Sequence, residues 1–174
     1  MEPSLRQRIV IREAERKDAA AILSCLRQTA MESDFLTSQS DEIKWTLERE
    51  ERFIEEMAAR SNTLFLVAQA REEIVGTLTF SGGTTRRTRH VGEAGAAVLR
   101  DYWGYGIGTK LIQRLLNWCP RAGIRKINGR TRSDNVRAIR LCEKMGFQRE
   151  GVLKRALQID GRFYDFILLG RLVD

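Results

Sequence analysis

The sequence predicts a mixed α/β fold with the element order β-α-α-β-β-β-α-β-α-β-β. Apolar residues recur at helical spacing in four segments, and short apolar runs typical of strands lie between them. Helices and strands alternate in the second half of the chain, as they do in layered α/β proteins. With only two prolines, no repeat and no linker, residues 1–174 are expected to form a single domain.

The first half of the chain is predicted to contain a strand, two helices and two more strands. Residues 9–12 form the strand, and Asp18 is placed to cap the first helix. Residues 64–68 and 74–80 form the two later strands. The inner faces of the helices are predicted from apolar spacing: Ile22, Leu23, Leu26 and Ala30 in the first, and Ile43, Leu47, Ile54, Met57 and Ala58 in the second.

The second half is predicted to alternate between strands and helices. Residues 91–99 are small and apolar enough for a central strand, and a helix with Ile107, Leu111 and Leu115 on one face follows a glycine-rich turn. A strand over 126–132 and a helix over 136–145 come next. The pair Asp160-Gly161 predicts a tight turn between two final strands.

The glycine-rich turn contains Gly104, Gly106 and Gly108, between the central strand and a helix. The first amides of a helix have no internal acceptors, and glycine lets a phosphate approach them closely. Spacing excludes a Walker loop, because Lys110 follows Thr109 and not a glycine. It also excludes a dinucleotide fingerprint, because no glycine stands three residues after Gly106 or after Gly108 in the required pattern. A third pattern, the coenzyme A loop (Q/R)xxGx(G/A), matches at its two glycines, Gly106 and Gly108, but glycine-rich turns are common and this match is weakly specific by itself.

Two stretches resemble motifs of the GCN5-related N-acetyltransferase (GNAT) superfamily: YWGYGIG at 102–108 and NVRAIRLCEKMGF at 135–147. The resemblance implies a GNAT fold, with a central, mixed, mostly antiparallel sheet and helices on both faces. It also implies direct transfer of an acetyl group from acetyl-CoA, in a ternary complex, to a primary amine. The acceptor is left open between a small cationic amine and a protein N-terminus or lysine. A homodimer is compatible with the family, and no metal is expected.

The same resemblance implies a set of cofactor-binding residues. The backbone of the central strand would pair with the pantetheine arm, and the amides of the glycine turn would hold the pyrophosphate. Trp103 stands where the family usually has Arg or Gln, so this grip must rest on backbone amides. Asn135 either caps its helix, contacts the pantetheine arm, or does both. The implied residues are Val98, Leu99, Arg100, Trp103, Gly104, Tyr105, Gly106, Ile107, Gly108, Thr109, Asn135 and Lys144.

Three residues are candidates for catalysis by the same resemblance. An alkyl amine with a pKa near ~10.4 is almost fully charged at neutral pH, so a base must take its proton. Glu93 in the central strand is the candidate base, with a surface position or a structural ion pair as the alternatives. Cys142 stands where many members have a Tyr that protonates the departing thiolate, and it either acts as that acid or packs in the core. Tyr164 or water would then be the donor.

Charge and cysteine usage suggest the setting of the protein. The net charge is +7, but residues 1–60 carry 10 basic and 13 acidic side chains, so the remaining chain is strongly basic. Acidic residues between the first two helices either favour a cationic amine or are simply solvated. The three cysteines and the absence of a leader pattern indicate a cytoplasmic protein. A non-catalytic CoA sensor or an RNA-binding module is the alternative, although the basic loop 84–90 lacks the aromatic residues that single-stranded nucleic acids favour.

Overall fold

The computed structural model describes residues 9–174, and the N-terminal residues on which the absence of a leader was judged lie outside that range. The predicted order of helices and strands is the order found. The elements are β1 Ile9–Glu13, α1 Ala19–Glu32, α2 Leu47–Ala59, β2 Thr63–Ala70, β3 Glu73–Gly82, β4 Val91–Val98, α3 Ile107–Trp118, β5 Lys126–Arg132, α4 Val136–Lys144, β6 Gln148–Ile159 and β7 Arg162–Leu172. From residue 9 onward, no helix is both long and apolar enough to cross a bilayer.

The strands form one seven-stranded sheet in the order β1-β2-β3-β4-β5-β7-β6. Every neighbouring pair is antiparallel except β4 and β5, which are parallel, so the predicted mixed, mostly antiparallel sheet is confirmed. Helix α2 covers one face, where Phe53 packs on Phe65 with ring centres 5.8 Å apart. Helix α3 covers the other, where Trp118 packs on Phe80 at 5.7 Å. These two surfaces of the sheet are called the α2 face and the α3 face below.

The core lies on both sides of β2 and β3. Nearly every residue of β2 is buried, because α2 covers one of its faces and α3 the other. Leu66 and Val67 point to opposite faces of the sheet and are both fully buried. Burial of a side chain of this size contributes about 1.5–3 kcal/mol to folding, so these strands form the rigid frame to which the site is attached.

Two details of the helix starts differ from the prediction. Helix α2 begins at Leu47, because the hydroxyl of Thr46 accepts a hydrogen bond from the Arg49 amide at 3.3 Å and caps the helix there. The predicted inner-face residue Ile43 therefore lies outside the helix, and Leu47 is exposed. The carboxylate of Asp18 does not cap α1; it accepts the Glu15 amide and pairs with Arg12 instead.

The last two strands form the predicted hairpin. Asp160 and Gly161 both have positive φ, 48° and 79°, as a turn of this handedness requires. Strand β6 also contains a bulge between Leu153 and Leu157, which the sequence did not reveal. Within this bulge, the amide of Arg155 donates to Asp165 Oδ1 at 2.9 Å, which holds the bulged strand against β7.

Candidate active site

The sheet opens between β4 and β5. These two parallel strands pair only from Val91 to Glu93 on β4, although β4 continues to Val98 and β5 continues to Arg132. On its other side, β4 remains paired with β3 along its whole length. Gly95 and Ala96 are exposed although they lie in the central strand of the sheet. The opening therefore presents a strand edge, with its backbone groups, in the middle of the molecule.

The end of β4 supplies one backbone group in this opening. The Val98 carbonyl accepts a hydrogen bond from the indole N–H of Trp103 at 2.7 Å. The Leu99 amide donates to the Val75 carbonyl in β3, and the Arg100 amide donates to Glu32 Oε2 at 2.7 Å. The Val98 carbonyl and the Leu99 and Arg100 amides therefore already have partners within the protein, and the pairing of these three residues with a bound chain stays a prediction.

Trp103 has a defined place that the family pattern did not suggest. Besides its hydrogen bond to Val98, its ring lies under the guanidinium of Arg137 at 4.8 Å and near that of Arg100 at 5.8 Å. Trp103, which replaces the usual Arg or Gln, thus makes cation–π contacts with two arginines. It links the loop after β4 with the first turn of α4.

The glycine turn ends in an exposed helix N-terminus. Gly104 and Gly106 have φ values of 86° and 79°, and a Cβ at either position would meet no atom of the described residues within 4 Å. Gly106 is the N-cap of α3, and none of the side chains in residues 9–174 caps this helix. Ile107 is buried as the first helical residue, and Tyr105 and Thr109 on either side of it are half-buried. Because the first amides of α3 lack internal acceptors, they favour an anion at this point.

Helix α4 lies against the start of α3. A Cβ on Gly108 would come within 2.7 Å of Leu141 Cδ2, so a larger residue there would require the Leu141 side chain to shift. Asn135 Oδ1 accepts the Ala138 amide at 3.2 Å, so the capping role considered for Asn135 is the one found. Lys144 is exposed in the last turn of α4, at the opposite end from Asn135.

Glu93 lies on the α2 face, at the point where β4 and β5 separate. It is paired in register with Asn128 on β5 and with Ser81 on β3. Its side chain is about half exposed and forms an ion pair with Arg130, with 3.2 Å between Glu93 Oε1 and Arg130 Nε. The candidate base is thus solvent-accessible and has one cationic partner.

Tyr164 lies on the same face and is held by Arg132. The guanidinium of Arg132 lies 4.1 Å from the Tyr164 ring centre and 4.6 Å from that of Phe35. It also forms two hydrogen bonds with Asp134, of 2.6 and 3.0 Å, and donates to the Asp34 carbonyl at 3.1 Å. Hydrogen bonding and the positive charge of Arg132 lower the pKa of Asp134. Arg132 is almost fully buried and ties β5 and β7 to the segment between α1 and α2.

Cys142, the third catalytic candidate, is half-buried on α4 and packs against the core. Burial, and secondly the charge of Glu143, raise the pKa of this thiol. Its packing against the core fits the structural alternative better than proton donation.

The sequence analysis missed the arginines on β5. Arg130 and Arg132 alternate with Gly129 and Thr131, and this period of two places both arginines on the same face as Glu93. The alternation was visible in the sequence and would have placed both arginines on one face of β5, whereas their position beside Glu93 follows from the pairing of β4 with β5. It would not have separated their roles, because only the fold distinguishes a buried arginine from an accessible one.

Comparisons with known proteins agree with this geometry. The sequence model described as the acetyltransferase (GNAT) family matches residues 27–147. The crystal structure of an acetyltransferase of the GNAT family from Streptococcus pneumoniae is 31% identical, with a TM-score of 0.92 over 95% of this chain and 99% of that one. The L-amino acid N-acetyltransferase AaaT from Escherichia coli is 27% identical over 94% of this chain and 97% of the relative. The fold also matches yncA from Salmonella typhimurium, solved with its cofactor acetyl-CoA, at 21% identity and a TM-score of 0.85, covering 96% of this chain and 95% of that one.

Proposed function

The chain belongs to the GNAT family of acetyltransferases, and from this premise we propose that it transfers the acetyl group of acetyl-CoA directly to a primary amine. The observation that carries the proposal is the opening between β4 and β5, together with the start of α3, which follows β4 in the chain and has no side-chain cap among the described residues. A strand edge and a helix start together suit an amide-bearing chain joined to a diphosphate. We propose that residues 1–174 act as one domain.

The donor half of the site would be built from backbone groups. The pyrophosphate would bind the amides that follow Gly104 and Gly106, where helix dipole and free N–H groups both favour an anion. The pantetheine arm would take the place of a missing strand along β4 and meet the backbone of Val98. Binding there would require the Trp103 indole to exchange its hydrogen bond with Val98 for another partner. Lys144 would contribute at most a distant charge.

The acceptor half would lie on the α2 face beside Glu93. Glu93 would take a proton from the ammonium group, directly or through water, and so generate the neutral nucleophile. The amine nitrogen would then form a bond to the thioester carbonyl carbon, and the carbon–sulfur bond would break. The departing thiolate would receive a proton from Tyr164 or water; Cys142 is a weaker candidate because it packs in the core.

Several classes of amine are candidates for the acetyl acceptor. The candidates are a small cationic amine and a protein N-terminus or lysine, and the name of the Escherichia coli relative adds free amino acids. Acidic residues between α1 and α2 would favour a cation, but Glu32 already accepts the Arg100 amide and is less available for one. We also propose a cytoplasmic setting, which the free thiols of Cys25 and Cys119 support.

A thiol-release assay with acetyl-CoA tests the function. The protein is incubated with acetyl-CoA and, separately, with polyamines, free amino acids, lysine peptides and peptides with free N-termini, and the release of CoA is followed. Release above background hydrolysis with at least one amine class is expected. Tight CoA binding without release for any acceptor would contradict catalysis and favour a CoA sensor, and salt-dependent RNA binding without CoA binding would favour a nucleic-acid module.

A further inference from the structure

The charged groups of Glu93 and Arg130 lie about as close together as the carboxylate and the ammonium of a zwitterionic amino acid. The two residues lie on neighbouring strands, on the same face, at the point where the strands separate. The contact between Arg130 Nε and Glu93 Oε1 is 3.2 Å, and each side chain is at least half exposed. Within residues 9–174, the other contact of the Arg130 guanidinium is the Phe166 ring at 5.8 Å. Its two terminal guanidinium nitrogens, Nη1 and Nη2, are therefore accessible to a ligand.

Arg132 cannot provide such a binding group. Its nitrogens already bond to Asp134 and to the Asp34 carbonyl, and its guanidinium lies against the rings of Phe35 and Tyr164. It is buried and fully engaged, whereas Arg130, two residues earlier on the same face, is accessible. Arg130 is thus the arginine of this face that is placed to recognise an anion beside Glu93.

We propose that the acceptor is an amine with a carboxylate on the adjacent carbon, as in a free α-amino acid, and that Arg130 binds this carboxylate. The inference rests on the proposed function, in which Glu93 receives the ammonium group. In an α-amino acid a single carbon separates the ammonium and the carboxylate. These two charges are therefore close enough together to contact the Glu93 carboxylate and the Arg130 guanidinium, which themselves form an ion pair. The ammonium replaces Arg130 beside Glu93, and the carboxylate replaces Glu93 beside Arg130.

This exchange leaves each charge with an opposite partner. A polyamine, or the N-terminus of a peptide, offers no adjacent carboxylate, so its ammonium would displace Arg130 from Glu93 and leave the guanidinium without an anionic partner. The planar guanidinium can bind both oxygens of a carboxylate at once, which fixes the orientation of the neighbouring amine. On transfer, the amine loses one proton to Glu93 and a second on forming the amide, while the thiolate gains one. The product amide carries no charge on nitrogen and no longer pairs with Glu93.

The test uses sets of acceptors that share one side chain: an α-amino acid, its carboxamide and its decarboxylated amine. In the wild type, kcat/KM for one or more amino acids should exceed that for the two analogues by about 30-fold, within the range for a charged hydrogen-bonded contact. Arg130→Met should reduce this preference to about threefold or less, mainly through the KM of the amino acid. Arg130→Lys should restore part of it, because lysine keeps the charge without the planar fork.

Arg149→Met is the matched control, because Arg149 is an exposed arginine that also pairs with a glutamate, Glu143, at 2.8 Å. It should keep the wild-type preference. A wild type that prefers decarboxylated amines or polyamines, or an Arg130→Met variant that loses all acceptors equally, would overturn the inference and leave the proposed function standing. If no amine releases thiol, the proposed function fails, and calorimetry of amino acids with the CoA-saturated protein decides the inference. Binding that Arg130→Met abolishes would support it, and no binding would overturn it.

Discussion

Replacing Glu50 by glutamine is expected to stabilise the fold at pH 8 and to change it little at pH 4. Glu50 lies on the inner face of α2, one and two turns before Ile54 and Met57. It is 1% exposed, and neither carboxyl oxygen has a hydrogen-bond partner among the described residues. Burial raises the pKa of this carboxyl from 4.5 to about 6. The buried carboxylate is therefore unfavourable when it ionises.

The direction of the pH effect follows from this raised pKa. Below pH 4.5 the Glu50 carboxyl is protonated in both the folded and the unfolded chain, and it imposes no penalty. Between pH 4.5 and about 6 the unfolded chain ionises while the folded protein keeps its proton, so stability falls as pH rises. Above this window both forms are ionised and the loss is complete. Glutamine stays neutral throughout and escapes the loss.

The expected gain at pH 8 can be worked out from the shift. One pKa unit corresponds to about 1.4 kcal/mol, so a rise from 4.5 to about 6 amounts to about 2 kcal/mol. For a chain of this length, 1 kcal/mol raises the melting temperature by about 2–4 °C, so Glu50→Gln should melt about 4–8 °C higher at pH 8. Thermal unfolding of both proteins at pH 4 and pH 8, followed by circular dichroism or calorimetry, measures this difference.

Glu56→Gln is the matched control, because Glu56 is exposed on the same helix. It should change the melting temperature by about 1–2 °C or less at either pH, as surface substitutions usually do. A Glu50→Gln variant whose melting temperature does not rise at pH 8, or rises as much at pH 4 as at pH 8, would refute the reasoning. The first result would mean that the carboxylate is compensated, and the second that the effect is packing and not ionisation.

Three further predictions concern the site. Gly106→Glu should abolish CoA binding in calorimetry, because the side chain adds bulk and a negative charge beside the phosphates. Gly123→Glu is the control, because Gly123 has a similar positive φ at the other end of α3, and it should bind CoA normally; equal losses in both variants would point to backbone strain. Glu93→Gln should lower acetyl transfer more at pH 7 than at pH 9, where the amine loses its own proton, and an equal loss at both would remove Glu93 as the base. Arg132→Met should speed chymotrypsin cleavage after Phe35 by about tenfold, because the guanidinium anchors that segment; unchanged cleavage would contradict the anchoring.

Much of the fold was predictable because its signals are local. The bounds of α3 and β5 follow the apolar pattern, and the turn at Asp160-Gly161 has the positive φ values that this pair allows. Glycine at 104 and 106 likewise marks backbone that other residues rarely adopt. Such preferences depend on a residue and its near neighbours. They are present in the sequence whatever the rest of the chain does.

The start of α2 shows where local signals fail. Ile43 and Leu47 continue the apolar spacing of Ile54 and Met57, so periodicity extends the helix too far towards its N-terminus. Thr46 interrupts that pattern, because its own backbone is extended and its hydroxyl caps the helix that follows. The same spacing places Glu50 on the inner face. Its burial depends on whether the neighbouring elements enclose that face.

The sequence by itself determined the family and the order of the elements, and it located the glycine turn that we propose binds the acyl donor. Tertiary structure alone decided which groups at the site are available. The amides of Leu99 and Arg100 are taken by β3 and by Glu32, Arg132 is buried, and Arg130 is left beside Glu93. The position of Arg130 beside Glu93 depends on how far β4 and β5 remain paired before they separate, and the other contacts also join residues distant in the chain. No local pattern of residues specifies where two such strands part.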